Sequence, residues 1–325
     1  MRHARVIATA GYVPERELTN AELRTQFGDA IDKLEAATGI RTRFIAPPGW
    51  AASDLGLRAA RVALDRAGIA ADAIDLIIVG TDTPDYLTPA TSVVLQHKLG
   101  AKRAGTFDVG CACASVPTAI SIASSMIAAN PWIERVLVVG AYAMHKLAAA
   151  DDPTRFFYGD GACALVLAAS ELPGVIATAM RADGEYAQRW GIFAGGSAEP
   201  ASEAAVRAGR THVRLVAPYP AEVNEVGWPL LVRDLAHRGG FAIGELDLAI
   251  FTQVRSATIH AVMHSLDLPI ARTHEIMARF GYTGSACIGM TLDDAIACGK
   301  AKPGALIALV GSGVGYNQAA VALRL

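Results

Sequence analysis

Charged residues are scarce in this sequence. Only 18% of its 325 residues are Asp, Glu, Lys or Arg, and the formal net charge is −2. A chain without an excess of basic residues has no electrostatic footprint for the phosphate backbone of a nucleic acid. We therefore expect no nucleic-acid partner.

Long uninterrupted apolar runs are also missing. Hydrophobic residues make up 52% of the chain, but polar residues break every apolar stretch before it reaches the ~18 residues that a membrane span requires. The first residues, MRHARVIATAGYVP, lack the continuous apolar core of a secretory signal. The sequence predicts no membrane span and no secretory leader, and its apolar content predicts a large buried core.

The cysteine content argues against a disulfide framework. The chain has five cysteines, an odd number, at positions 111, 113, 163, 287 and 298. This usage is typical of a reducing compartment, so we predict a cytoplasmic location. Cys111 and Cys113 form a C-x-C pair, but no second Cys or His pair lies near them in the sequence. We therefore predict no metal site.

Phosphate-binding loops are absent as well. The sequence contains no Walker loop and no G-x-G-x-x-G that opens a helix after a strand. The stretch GSGVG, residues 311–315, lies between two β-like runs, so we interpret it as a tight turn. We expect no cofactor.

The most informative stretch is TFDVGCACASVPTAISIASSMIAA, residues 106–129. A short β-like run, Thr106–Val109, leads into a helix that has no charged side and so belongs inside the protein. Pro117 fits only the first turn of that helix, which places Cys113 at its N-terminal end. Unpaired N–H groups and the helix dipole favour a thiolate there. The alternative is that Cys113 is a small buried hydrophobe, as many free cysteines are.

The second half of the sequence repeats features of the first at an offset of about 170 residues. The matching segments are residues 75–79 with 247–251, residues 139–140 with 310–311 and, more faintly, the central helix with residues 283–297. A constant offset indicates duplication. We predict two similar α/β halves, residues 1–172 and 173–325, with their central helices packed back to back between two sheets.

Local signals outline the first elements of the chain. The segment Arg5–Ala10 reads as a strand, and Thr91–Leu99 reads as a helix. Asn20 and Ser53 each precede a helical pattern, and we predict that each caps its helix by accepting from the first free N–H groups.

Five motifs in the same order give the chain a family resemblance. They are TGIRTRFIA (38–46), FDVGCACAS (107–115), FYGDGACALVLAAS (157–170), FGYTGSA (280–286) and KPGALIALVGSGVGY (302–316). With them the sequence resembles the thiolase superfamily and, within it, the β-ketoacyl-ACP synthase III (KAS III) group. The resemblance covers nearly the whole chain and implies a five-layer αβαβα fold and a homodimer.

The resemblance also implies roles for individual residues. The family's nucleophilic cysteine corresponds to Cys113, and its oxyanion hole corresponds to the backbone N–H groups of Cys113 and Val314, which Gly313 and Gly315 allow to approach. Asp160 falls in a buried structural turn of the family.

Two family residues are replaced here. The histidine after the second-half strand is Thr252, and the asparagine of the next motif is Tyr282. In the family this pair donates hydrogen bonds to the extender thioester while malonyl loses CO2. Hydroxyl groups can still donate, but Thr cannot take up a proton near neutral pH. We therefore expect slow or absent decarboxylation. His145 is the nearest substitute histidine in the sequence, and we interpret it as a packed residue.

The substrate-binding positions depart from the family as well. Lys33 and Ala37 stand where the family grips coenzyme A between Trp and Arg, and Asp152 replaces a further Arg. We expect weak binding of free coenzyme A thioesters. The resemblance places Thr88, Met144 and Tyr158 at the acyl pocket, with Thr88 in the place of a bulkier residue that reaches into the partner's pocket.

Three functions are compatible with these residues. The first is an acyltransferase in fatty-acid or polyketide-type biosynthesis, in which Cys113 takes an acyl group from acyl-ACP or acyl-CoA and passes it to an acceptor. The second is a complete ketosynthase in which Thr252 and Tyr282 act as the donors. The third is a non-catalytic subunit that forms a heterodimer with an intact KAS III homologue.

Overall fold

The structure is a computed structural model that describes residues 2–325. Its strands are β1 His3–Tyr12, β2 Arg16–Thr19, β3 Thr42–Ile45, β4 Leu76–Gly80, β5 Gly105–Val109, β6 Arg135–Tyr142, β7 Gly161–Ser170, β8 Val175–Ala182, β9 Trp190–Gly191, β10 Arg214–Leu215, β11 Leu248–Phe251, β12 Leu306–Gly313 and β13 Asn317–Arg324. Its α-helices are α1 Asn20–Phe27, α2 Ala30–Thr38, α3 Ala52–Ala67, α4 Thr91–Leu99, α5 Ser115–Ala129, α6 Glu203–Arg207, α7 Glu222–Glu225, α8 Gly227–Gly239, α9 Ser256–Ser265, α10 Met277–Phe280 and α11 Cys287–Ala297.

Two sheets with the same strand pattern form the framework. The first has the order β1-β7-β6-β4-β5, with β4 parallel to β5 and β6, and with β7 antiparallel to β6 and β1. The second has the order β11-β12-β13-β8, with one parallel pair, β11–β12, followed by two antiparallel pairs. The second sheet thus repeats the first without a counterpart of β5. Since β7 ends at Ser170 and β8 begins at Val175, we propose the division of the chain after residue 172.

The helices complete five layers. Helix α3 packs on the outer face of the first sheet, and α8 packs on the outer face of the second. Between the sheets lie α5, which contacts strands of both, and α11. Each of these two central helices follows a single 3-10 turn, Ala112–Ala114 before α5 and Gly284–Ala286 before α11. This is the predicted αβαβα arrangement.

The apolar character of α5 reflects its central position. The segment Ala112–Ala129 has the length and mean hydropathy of a membrane span, even though Ser and Thr interrupt it. Inside the protein, however, 67% of this segment is buried. A helix packed between two sheets needs apolar residues on every face, which accounts for its composition.

The two predicted N-caps are wrong. Helix α1 is capped by Thr19, whose side chain accepts from Glu22 N, while Asn20 lies buried and donates to Ile40 O over 2.9 Å. Ser53 lies within the first turn of α3, and its N–H and hydroxyl both donate to the Asp85 carboxylate. In both cases the polar side chain satisfies a tertiary partner, which sequence alone does not show.

Candidate active site

Cys113 lies at the N-terminal end of α5, as the position of Pro117 predicted. It belongs to the 3-10 turn that joins β5 to the helix. Ser115 fixes this junction, because its hydroxyl donates to Val109 O and accepts from Cys111 N, each over 3.1 Å. The Cys113 side chain is 2% exposed. The nucleophile proposed from the sequence is therefore held in the core.

The end of β12 packs directly against the Cys113 turn. A Cβ atom at Gly311 would lie 2.8 Å from Cys113 O, and one at Gly313 would collide with Cys111 O. Only glycine permits this approach of the two backbones. Val314, which directly follows Gly313, lines the neighbouring cavity. We infer that the Val314 N–H is available for the oxyanion role implied by the family resemblance.

Tyr282 contacts the thiol itself. Its hydroxyl forms a short hydrogen bond with Cys113 Sγ. The Tyr282 backbone is fixed on both sides, since its N–H donates to Phe157 O over 2.7 Å and its carbonyl accepts from Gly159 N over 3.0 Å. The prediction for Tyr282 was a donor to the second substrate. That role stays a prediction, because either atom of the Cys113–Tyr282 contact can be the donor.

Burial dominates the electrostatics of the thiol. The pKa of Cys113 lies well above its ordinary value because the side chain is desolvated, and the Asp82 carboxylate adds to the increase. The Tyr282 hydrogen bond acts in the opposite direction but does not offset burial. The prediction of a resting thiolate is therefore wrong, since desolvation outweighs the helix N-terminus.

Asp82 is a titratable neighbour that sequence reasoning missed. It follows the carboxyl end of β4 by two residues and accepts a hydrogen bond from the Ser285 hydroxyl. Burial raises its pKa to about 6. Its position offers a signal, because loops at the carboxyl ends of parallel strands often carry functional residues.

Thr252 lies directly after β11, at the carboxyl end of that strand. Its side chain is 3% exposed, and Oγ1 accepts from Ser312 N over 2.8 Å. The hydroxyl hydrogen is not needed for that bond. Thr252 and Tyr282 both line one cavity.

This cavity has a volume of about 230 Å³. Aromatic side chains form much of its wall, together with Thr252, Ser312 and Val314; they are Phe157, Trp190, Tyr219, Trp228, Tyr282 and Tyr316. Tyr282 separates the cavity from the thiol, since it lines the cavity and hydrogen-bonds Cys113 Sγ. A substrate in the cavity would meet Tyr282 before it reaches the nucleophile.

The three acyl-pocket residues occupy different environments. Met144 and Tyr158 are buried, at 6% and 1% exposure, and the Tyr158 hydroxyl accepts from Trp190 Nε1 over 3.1 Å. Thr88 lies instead in an exposed loop, and none of the three residues is among those that line the cavity. A role for Thr88 in an acyl pocket therefore requires a partner subunit.

His145 contacts Arg155, with Nε2 3.1 Å from the guanidinium. Burial and the charge of Arg155 lower the pKa of His145 to about 4. The imidazole is therefore neutral at physiological pH and packed, as interpreted from the sequence. Asp160 is fully buried and accepts from Ala46 N over 2.8 Å, which suits a structural turn.

The positions expected at the donor site provide no aromatic and guanidinium clamp. Lys33 and Ala37 are exposed on α2. Asp152 caps the 3-10 turn Pro153–Phe156, where its carboxylate accepts from Thr154 N over 2.8 Å. The carboxylate at Asp152 thus has a local structural function.

One group of side chains has the composition of a metal site. His274, Asp294 and Cys298 bring potential ligand atoms within 4.8 Å of one another. Asp294 Oδ2, however, already forms hydrogen bonds with His274 Nε2 over 2.7 Å and with the Arg279 guanidinium over 2.6 Å. The geometry is that of an ion-pair cluster at the end of α11.

Comparison with known proteins identifies the family. Models of 3-oxoacyl-[acyl-carrier-protein] synthase III match residues 107–184 and, for its C-terminal part, residues 236–325. A β-ketoacyl-[acyl-carrier-protein] synthase III of Xanthomonas oryzae pv. oryzae is 33% identical over 329 residues, covering 99% of this chain and 98% of that relative. The chain belongs to the KAS III family.

Solved structures confirm the thiolase-type fold. The 3-oxoacyl-[acyl-carrier-protein] synthase III from Aquifex aeolicus has a TM-score of 0.88 at 29% identity, covering 99% of this chain and 100% of that one. The priming β-ketosynthase from the R1128 polyketide biosynthetic pathway has a TM-score of 0.90 at 28% identity, covering 99% and 96%. The family and fold inferred from the five motifs are therefore correct.

Asp82 gives this KAS III protein a testable electrostatic property. Above a pH of about 6 the carboxylate is charged and disfavours the Cys113 thiolate. Asp82→Asn should therefore lower the pKa of the thiol. The pKa can be measured from the ultraviolet absorbance of the thiolate during a pH titration, with Cys113→Ala in each background as the blank.

The matched control is Asp151→Asn, which removes a carboxylate from an exposed position. This variant should leave the titration unchanged. An unchanged thiol pKa in Asp82→Asn would contradict the proposed coupling of Asp82 to Cys113.

Proposed function

We propose that this protein is a KAS III-type acyltransferase that carries its acyl intermediate on Cys113. The observation that supports this most directly is the packing of three groups around one thiol. Cys113 lies at the start of α5, the Tyr282 hydroxyl contacts its sulfur, and the glycine-rich end of β12, which Val314 follows, packs against the Cys113 turn. A nucleophile next to a proton-carrying group and main-chain donors has the parts that acyl transfer requires.

The first half-reaction forms the acyl-enzyme. Cys113 Sγ attacks the carbonyl carbon of an acyl thioester, a new C–S bond forms, and the bond to the donor's sulfur breaks. The Cys113 proton leaves through the Tyr282 hydroxyl and ends on the departing thiol. Main-chain N–H groups of Cys113 and Val314 stabilise the oxyanion between these steps.

The second half-reaction passes the acyl group to an acceptor. Because Thr252 replaces the family histidine, the acceptor must react without help from an imidazole. The acyl donor is acyl-ACP or an acyl-CoA held without the missing clamp, and the pathway is fatty-acid or polyketide-type biosynthesis. The relatives are named as synthases, and none of these comparisons favours a non-catalytic subunit.

Acylation of Cys113 is the direct test of this function. Incubation with acetyl-N-acetylcysteamine should add one acetyl group to the protein, detected by intact-protein mass spectrometry. Cys113→Ala should abolish the adduct, while Cys111→Ala, which removes the neighbouring partly buried thiol, should retain it. An adduct that survives in Cys113→Ala, or no adduct in the unmodified protein, would contradict the proposal.

We further propose that the protein is a homodimer joined along β5. Within residues 2–325 of one chain this strand has β4 on one side and no strand on the other. Asp108 of β5 anchors the start of α4 by accepting from Thr91 N and Ser92 N over 2.7 and 2.8 Å. The preceding loop exposes Leu87 to 81% and places Thr88 beside it. Such an open edge with apolar surface suits pairing with a second copy.

Sedimentation at micromolar concentration should therefore give a dimer. Hydrogen exchange should show stronger protection in β5 than in β1, the opposite edge strand of the same sheet. A monomer in which β5 exchanges as freely as β1 would exclude this interface.

A further inference from the structure

Thr252 takes the sequence position of the family histidine, and it lines the cavity. The structure shows a second hydroxyl next to it. Ser312, in β12, donates its backbone N–H to Thr252 Oγ1 over 2.8 Å, and both side chains line the cavity. Ser312 is 4% exposed.

The hydrogen-bond partners of Ser312 fix the direction of its hydroxyl. Trp228 Nε1, which can only donate, contacts Ser312 Oγ. Gln318 Nε2 also contacts Ser312 Oγ, over 3.1 Å. The same Gln318 nitrogen lies 2.9 Å from Val223 O, a backbone acceptor, so the amide orientation is settled. Both lone pairs of Ser312 Oγ therefore accept, and its hydrogen must be donated elsewhere.

This arrangement is rigid. The Trp228 ring stacks on Phe251 with a centroid distance of 5.1 Å and is 2% exposed. Gln318 pairs with Ser312 across the β12–β13 ladder. Preorganised donors of this kind need little rearrangement when negative charge develops on a substrate. The phenol oxygen of Tyr316 accepts from the Ser312 side chain, so a substrate oxygen takes the place of Tyr316 as the acceptor of this hydrogen.

The cavity wall provides donors but no base. Among the described residues that line it there is no Asp, Glu or His, and Arg255 contributes a positive charge. We propose that the hydroxyls of Ser312 and Thr252 form a donor pair for the carbonyl oxygen of the second substrate, in place of the family's His and Asn. This inference rests on the proposed acyl transfer and names the residues of its second half-reaction.

The chemistry balances without a general base. In a malonyl thioester the bond to the carboxylate carbon breaks, CO2 leaves, and the electron pair moves onto the thioester oxygen, where Ser312 and Thr252 donate. The enolate carbon then attacks the acyl carbon on Cys113. A C–C bond forms, the C–Sγ bond breaks, and the electron pair returns to sulfur, which takes a proton from the Tyr282 hydroxyl; water then returns a proton to Tyr282.

Release of labelled CO2 from malonyl-N-acetylcysteamine tests this pair in the full-length protein, without dependence on recognition of coenzyme A or a carrier protein. In contrast to the slow or absent decarboxylation expected from the loss of the family histidine and asparagine, the unmodified protein should release CO2. Ser312→Ala and Thr252→Val should each reduce the rate by tenfold to about a hundredfold. Thr252→Ser keeps the hydroxyl and should retain most of the rate. The matched control is Thr291→Val, which removes a buried hydroxyl that donates to Cys287 O within α11, and its rate should be unchanged.

Ser312→Ala leaves the Trp228 N–H without its acceptor and could unfold the protein. Ser312→Cys then provides the second variant, since a thiol keeps the volume but is a weak donor. The proposal would be overturned if CO2 release were equally fast in the unmodified protein, in the Ser312 variants and in Thr252→Val. It would also be overturned if the unmodified protein released no CO2. Acetylation of Cys113, measured in parallel, distinguishes these results from failure of the proposed acyl transfer, because it does not require Ser312.

Discussion

The hydrogen bond between the Cys113 thiol and the Tyr282 hydroxyl is the contact on which the candidate site depends. It joins the two halves of the chain, since Cys113 precedes α5 of the first and Tyr282 precedes α11 of the second. Both groups are buried, and the pKa of each is raised by desolvation. The resting pair is therefore neutral, and Tyr282 separates the thiol from the substrate cavity.

This arrangement divides the chemistry between two walls of one site. In the proposed first half-reaction the donors are main-chain N–H groups of Cys113 and Val314, and Gly311 and Gly313 allow β12 to approach the Cys113 turn. Such donors do not depend on side-chain identity. In the proposed second half-reaction the donors are the hydroxyls of Ser312 and Thr252, two of the residues that line the cavity.

Much of the fold could be predicted because its signals are local. The charge-free helix, the offset between the halves and the five motifs each lie in short stretches of sequence. The same reasoning placed Cys113 at the start of α5. It failed for Asn20 and Ser53, whose tertiary partners Ile40 and Asp85 are distant in sequence.

The site could be predicted only in part for the same reason. The Cys113 pKa depends on burial and on Asp82, neither of which a helix pattern reveals. The replacement of asparagine by Tyr282 was visible, but its contact with Cys113 was not. The direction of the Ser312 hydroxyl follows from Trp228 and Gln318, which lie in two other elements.

The most direct test of this account is the thiol pKa in Tyr282→Phe, a change that keeps the ring and removes the hydroxyl. The Tyr282 hydrogen bond lowers the Cys113 pKa, so its loss should raise that pKa further and slow acetylation at a fixed pH. Titration of the thiolate absorbance, with Cys113→Ala in the same background as the blank, measures the shift. A thiol pKa that is unchanged or lower in Tyr282→Phe would show that the hydroxyl does not support the nucleophile.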